Sequence, residues 1–258
     1  MSADGFPPPP PPDLAPPAGY AGYQARPWGA VTLKRVGGPA KAITILLAVC
    51  AVSQLVLVLF IPSYVSNSRD FADGLIDEDT YVERQVGFVS MSFISGAASL
   101  AVLVLSVIWL FRVAKNHRSL QRTTTWGPGW GIAGWVVPPL LFVIPTLMLR
   151  EQWQAAEPSS PPGDESWRST RPPPLLWVWF VAYSAYSISP IVFAATGASA
   201  FGSGLSGDVE DAARDVADSP AALWVPALLL IVSAVLWGLV VRGITTRHRR
   251  LTGEDSAR

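Results

Sequence analysis

Five stretches of this chain contain no Asp, Glu, Lys, Arg or His: residues 42–62, 86–111, 129–149, 175–201 and 221–241. An α-helix rises about 1.5 Å per residue, so a run of about 20 apolar residues spans the roughly 30 Å of a bilayer core. Charge is confined to the connections, where its sign is segregated. The 258 residues are 50% hydrophobic and 15% charged, with mean hydropathy +0.34, which excludes an ordinary soluble domain and points to a multi-pass membrane protein. Uncharged interiors also argue against a proton- or ion-coupled pump, which needs ionisable groups within the membrane.

The third stretch differs from the other four. Between Trp126 and Trp153 the sequence WGPGWGIAGWVVPPLLFVIPTLMLREQW is apolar enough to span, yet it carries Pro138, Pro139 and Pro145. Proline lacks an N–H and clashes with the carbonyl four residues back, so three close together break a helix. Such backbone survives in hydrocarbon only where neighbouring protein or water satisfies it. Charge supports the same conclusion. Five full spans would place either Arg242, Arg247, Arg249 and Arg250 or the Lys34–Lys41 and 112–122 groups outside, against the positive-inside bias. Four spans and a returning hairpin keep both tails and everything from 112 to 174 inside, with Arg118 and Ser160 on one side. The expected fold is therefore an all-α integral membrane protein. Its four transmembrane helices lie at 42–62, 86–111, 175–201 and 221–241, with a proline-broken re-entrant or interfacial segment between spans two and three.

Residues 1–40 open with Pro7–Pro12 and continue with Pro16 and Pro17, a composition unable to bury a core. They are expected to be a disordered cytoplasmic tail, a linker or a proline-rich ligand for a partner protein. Residues 41–250 then form the membrane domain and 251–258 a polar tail. Tyr64–Gln85 is expected as a solvated acidic loop, and Val209–Ala217 as a short amphipathic helix in a second one. Gln54 is expected to bond a neighbouring helix, Ser95 and Ser99 to lie on a close-packing face, and Trp109 and Trp237 to mark span ends. Pro190 should kink its span and release the carbonyl of Tyr186.

Gly129-Trp-Gly-Ile-Ala-Gly134 matches a dinucleotide fingerprint in letters only, because no strand precedes it. These glycines are expected to permit close turns. His117 and His248 lie among arginines and are expected on a solvated surface. With one cysteine, Cys50, they cannot form a metal cluster. No catalytic, cofactor or metal residues are expected, and no nucleic-acid partner. Sixteen of the nineteen basic residues are arginine, which with abundant Ala, Gly and Pro suggests a GC-rich bacterial genome.

Arg112, Lys115, Arg118 and Arg122, with Asn116 among them, follow the second span directly. Basic residues so placed attract anionic lipid at about 1 kcal/mol each, besides fixing topology. From Phe111 to Trp153 the order of features resembles a bacterial multi-pass family known as domain of unknown function 4328. The residues that carry it are Arg112-Val-Ala-Lys-Asn116, Trp135-Val-Val-Pro138, Pro145 and Glu151-Gln-Trp153. Where that family usually has Asn-Leu between the prolines, this chain has Leu141-Phe142. The resemblance brings no activity or cofactor. The expected function is a non-catalytic module binding lipid headgroups or a partner protein at the cytoplasmic face of the bacterial plasma membrane. The alternative is a small channel or permease that uses 129–149 as gate or filter.

Overall fold

The computed structural model describes residues 33–135, 143–161, 163–195 and 209–254. All regular structure among them is helical: α1 (Gly37–Ala72), α2 (Glu78–Ser119), α3 (Trp130–Ala133), α4 (Val143–Ala155), a 3-10 turn (Ser166–Ser169), α5 (Leu175–Ala195), α6 (Val209–Asp218) and α7 (Ala221–Thr252). Four of them, α1, α2, α5 and α7, are long and apolar enough to cross a membrane, and they contain the described parts of the four expected spans. The 42 residues of α2 reach about 63 Å, twice the hydrocarbon thickness, so its ends extend well past any bilayer. Large side chains such as Leu59 (79% exposed) and Phe93 (77%) line the outside, an apolar surface that suits lipid rather than water.

The acidic connection 64–85 is a correction. It is mostly helix, with only residues 73–77 turning between α1 and α2. Tyr64 stacks on Phe88 at 4.1 Å and Phe71 on Tyr81 at 4.6 Å, zipping the two helices together beyond the apolar runs. Asp77 caps α2 by accepting the Thr80 N–H at 2.9 Å, and Gly74 supplies the positive φ of the turn.

Within the bundle, α1 packs between α2 and α7, and α7 packs on α5. The α1–α2 seam uses the small-residue face: Gln54 Nε2 donates to Ser95 Oγ at 2.8 Å, as expected, and Cys50 Sγ meets Ser99 Oγ at 3.6 Å. In α5 the carbonyl of Tyr186 that Pro190 releases accepts the Ser189 hydroxyl at 2.8 Å. The short helix expected near 209–217 is present as α6, with Val216 packed on Ile61 and Val65 of α1.

Trp109 and Trp237 are buried in the core instead of standing at a membrane interface. Each indole N–H finds a hydroxyl across the bundle, Trp109 to Thr245 and Trp237 to Ser106, both at 3.0 Å. A satisfied N–H allows the whole ring to be buried.

The segment after α2 turns back on itself. The Glu151 carboxylate accepts the Thr125 and Trp126 N–H groups at 2.6 and 2.9 Å, so the two ends of the 126–153 stretch meet. A Cβ at Gly134 would stand 2.9 Å from Ile144 of α4, and one at Gly131 3.5 Å from the Phe111 backbone. These glycines therefore serve close approach. Pro145 begins a helix where a break was expected, because it sits in the first turn of α4, where a missing N–H costs nothing. Pro138, Pro139, Leu141 and Phe142 lie outside the described residues, as does the tail over 1–32. Residues 33–40, expected within that tail, instead belong to the bundle, with α1 starting at Gly37.

Candidate anion-binding site

Successive residues on a helix are turned by about 100°, so the basic cluster on α2 cannot form one surface. Arg112 and Asn116, four apart, share a face and grip the chain entering α1. Arg112 Nη1 donates to the Arg35 carbonyl at 3.1 Å. Asn116 Oδ1 accepts the Lys34 N–H at 2.8 Å, and its Nδ2 donates to the Lys34 carbonyl at 2.7 Å. Lys115 and Arg118 point away and are exposed. Arg122 lies past the helix end, after Gln121 reverses the chain at φ 57. Its guanidinium is buried and donates to the carbonyls of Ala155, Glu157 (2.8 Å) and Ser160 (2.8 Å), closing the C-terminal end of α4.

Asn116 and Arg122 therefore face inward and are corrected as lipid contacts, while Arg112, Lys115 and Arg118 stay within reach of the surface. Three of the other motif residues make structural contacts. Glu151 closes the hairpin. Trp153 lies under the Arg247 guanidinium (4.8 Å to the ring centre), and Trp135 packs against Trp179, Tyr183 and Trp237.

Both histidines are buried at 0% exposure, against the expectation of a solvated surface. They join Asn116 and Gln152 in one chain of hydrogen bonds, beyond the apolar runs ending at Phe111 and Val241. The oxygen of Asn116 is occupied by Lys34, so its Nδ2 faces His248 Nε2 at 2.9 Å. That nitrogen must accept, leaving the proton on Nδ1, which donates to His117 Nε2 at 3.1 Å. His117 Nδ1 then donates to Gln152 Oε1 at 2.7 Å. Every bond is satisfied only with both imidazoles neutral. Burial works the same way: it pushes His117 well below the usual histidine range, helped by His248, and brings His248 down to about 4, with Glu254 opposing. Sequence gave no sign of this pair, since residues 117 and 248 meet only through the packing of α2 on α7.

Between the N-terminal end of α1, the C-terminal part of α2 and that of α7 lies a cavity of about 650 Å³. Among the described residues its charged walls are Arg35, Lys41, Arg112, Arg242 and Arg249, with Glu254 as the one carboxylate. Lys41, Arg112 and Arg242 each adjoin an apolar run, those at 42–62, 86–111 and 221–241. These three cations therefore stand at the ends of three candidate spans. Among the sequence candidates only Arg112 lines it. The others were visible to sequence reasoning only as topology signals at span ends. A second cavity, about 220 Å³, lies among α1, α2, α5 and α7 beside Trp135, with Trp179, Tyr183 and Trp237 in its wall. Among the described residues no group of three or more His, Cys, Asp or Glu is placed to hold a metal ion.

Compared with known proteins, the chain has no match among the curated proteins or the solved structures. The family model described as "Domain of unknown function (DUF4328)" matches residues 74–246. That interval runs from the turn before α2 into the last turns of α7, more than half of the chain. It includes Arg112 and Asn116, which hold the chain entering α1, Glu151, which closes the hairpin, and Trp135, Pro145 and Trp153. The chain belongs to the DUF4328 family.

Proposed function

We propose that this protein is a non-catalytic membrane module that binds anionic lipid headgroups at the cytoplasmic face of the bacterial plasma membrane. The observation that carries the reading is the 650 Å³ cavity, whose described lining sets five cations around one carboxylate, three of the cations beside the ends of apolar runs. Arginine suits phosphate because its planar fork donates two parallel hydrogen bonds. In this reading both termini are cytoplasmic and the 126–153 hairpin dips into or lies along the inner leaflet. The meeting of Glu151 with Thr125 and Trp126 supports that path.

The test is lipid retention by the purified protein in native mass spectrometry. Arg112→Gln with Arg242→Gln should strip anionic lipid, by about 25-fold if each cation contributes its usual share. Lys115→Gln with Arg118→Gln removes the same charge from the outer surface and should change retention little. Equal loss in both pairs would reduce the effect to general surface charge, and no loss in the cavity pair would overturn the reading. The permease alternative draws on the 220 Å³ cavity beside Trp135. Flux of small solutes into reconstituted vesicles, abolished by filling that cavity with Ser233→Phe, would favour it.

A further inference from the structure

We infer that the basic cavity takes a phosphomonoester headgroup, and that Glu254 is the internal anion which this ligand displaces. The inference rests on the headgroup-binding reading and adds the ligand's charge class and a built-in competitor. α1 is 36 residues long and has no side-chain cap of its own at Val36. The free N–H groups of its first turn instead meet a carboxylate from the far end of the chain: Glu254 accepts from Val36 N at 3.3 Å and Gly37 N at 3.2 Å. Gly253 takes a left-handed φ of +66° after α7, and the Glu254 N–H bonds the Arg249 carbonyl at 3.3 Å. That reversal aims the side chain back at α1. Gly37 gives the carboxylate room, since a Cβ there would stand 3.0 Å from its oxygen.

Glu254 thus occupies the place an anion takes at a helix N-terminus, inside a ring of cations. It fills that place incompletely. Charge-assisted bonds usually run about 2.7–2.9 Å, shorter than both of these contacts. Among the described residues the cavity wall sets five cations against one carboxylate. A phosphate monoester brings about −1.5 to −2 charge and three acceptor oxygens, enough to take over both N–H groups and still face the guanidinium groups. A phosphodiester brings a single charge. The positions of Lys41, Arg112 and Arg242 beside their apolar runs favour a lipid over a free phosphate.

The experiment uses the full-length protein in non-ionic detergent, titrated with dioctanoyl phosphatidic acid and dioctanoyl phosphatidylglycerol, which share the same acyl chains, and with inorganic phosphate. Phosphatidic acid should bind about 5-fold or more tighter than phosphatidylglycerol, as one further charge near these cations predicts. Inorganic phosphate should bind more weakly than either lipid. Glu254→Gln should tighten phosphatidic acid by about 5-fold, whereas Glu165→Gln, the same charge change on an exposed residue at the same end, should leave it within about 2-fold. The glutamine oxygen still accepts the Val36 and Gly37 N–H groups, so an unchanged melting temperature confirms that the variant is folded. Equal binding of the two lipids would overturn the monoester assignment, and phosphate binding as tightly as phosphatidic acid would overturn the lipid source. If Glu254→Gln matches Glu165→Gln while the Arg112/Arg242 pair still abolishes binding, displacement fails and the headgroup reading stands. If that arginine pair binds normally, both fall.

Discussion

Acidification should loosen the end of the bundle that holds the His117–His248 pair. A proton on His248 Nε2 would face the Asn116 amide donor, and one on His117 Nε2 would face the His248 N–H, so charging either ring breaks a bond of the chain. The sign follows from the depressed folded-state values. Above pH 6.5 both states carry neutral imidazole and nothing changes. As pH falls below 6.5 the unfolded chain takes up protons that the folded chain refuses, and stability is lost until pH reaches the folded value. For His248, moving from 6.5 to about 4, that loss is about 2 kcal/mol at pH 5, with His117 adding in the same direction. In detergent micelles this corresponds to a melting temperature about 4–8 °C lower at pH 5 than at pH 7.5. The paired variant His117→Gln/His248→Gln isolates the histidine contribution. Glutamine can accept from Asn116 and donate onward, so the variant should fold at neutral pH and lose most of the slope between 6.5 and 5. A wild-type melting temperature that is flat over that range, or a slope unchanged in the double variant, would refute the reasoning.

Three further outcomes test the packing and the topology. Arg122→Ala leaves the carbonyls of Ala155, Glu157 and Ser160 without their donor and should cost about 3 kcal/mol or more by thermal melting, with Arg122→Lys recovering only part because it lacks the fork. Gly243→Ala puts a methyl 2.7 Å from the Trp153 ring and should destabilise by about 1–3 kcal/mol, a cost that Trp153→Phe should relieve. In a Cys50→Ser background, cysteines at Arg118 and at exposed Ser159 should react with an impermeant reagent only once the inner face is opened. Reaction of Ser159→Cys from outside intact cells would replace the returning hairpin with a fifth crossing.

What the sequence alone determined is the solvent-facing logic of the chain. Runs free of charge can lie only in lipid or a core, so helix number and the grouping of basic residues at one end were legible from residues 42–62, 86–111, 175–201 and 221–241. Local chemistry was legible too: Gln54 needs a partner, Pro190 frees one carbonyl, and residues 209–217 alternate as a helix does. The ends of the helices were not, because the stacking of Phe71 on Tyr81 and Tyr64 on Phe88 is a tertiary event that extends α1 and α2 through an acidic, loop-like sequence. Nor was the direction of any polar side chain near a span end. Arg112, Asn116 and Arg118 read alike as a basic segment, and only the 100° step of the helix and the neighbours it meets make one a cavity wall, one a buried clamp and one a free surface. His117 and His248 stand 131 residues apart, and no local pattern announces a contact that exists because α2 and α7 pack together. The same holds for the basic cavity: its cations come from the ends of three helices, and its carboxylate arrives by a turn at Gly253, so the cavity exists only where tertiary packing brings those ends together.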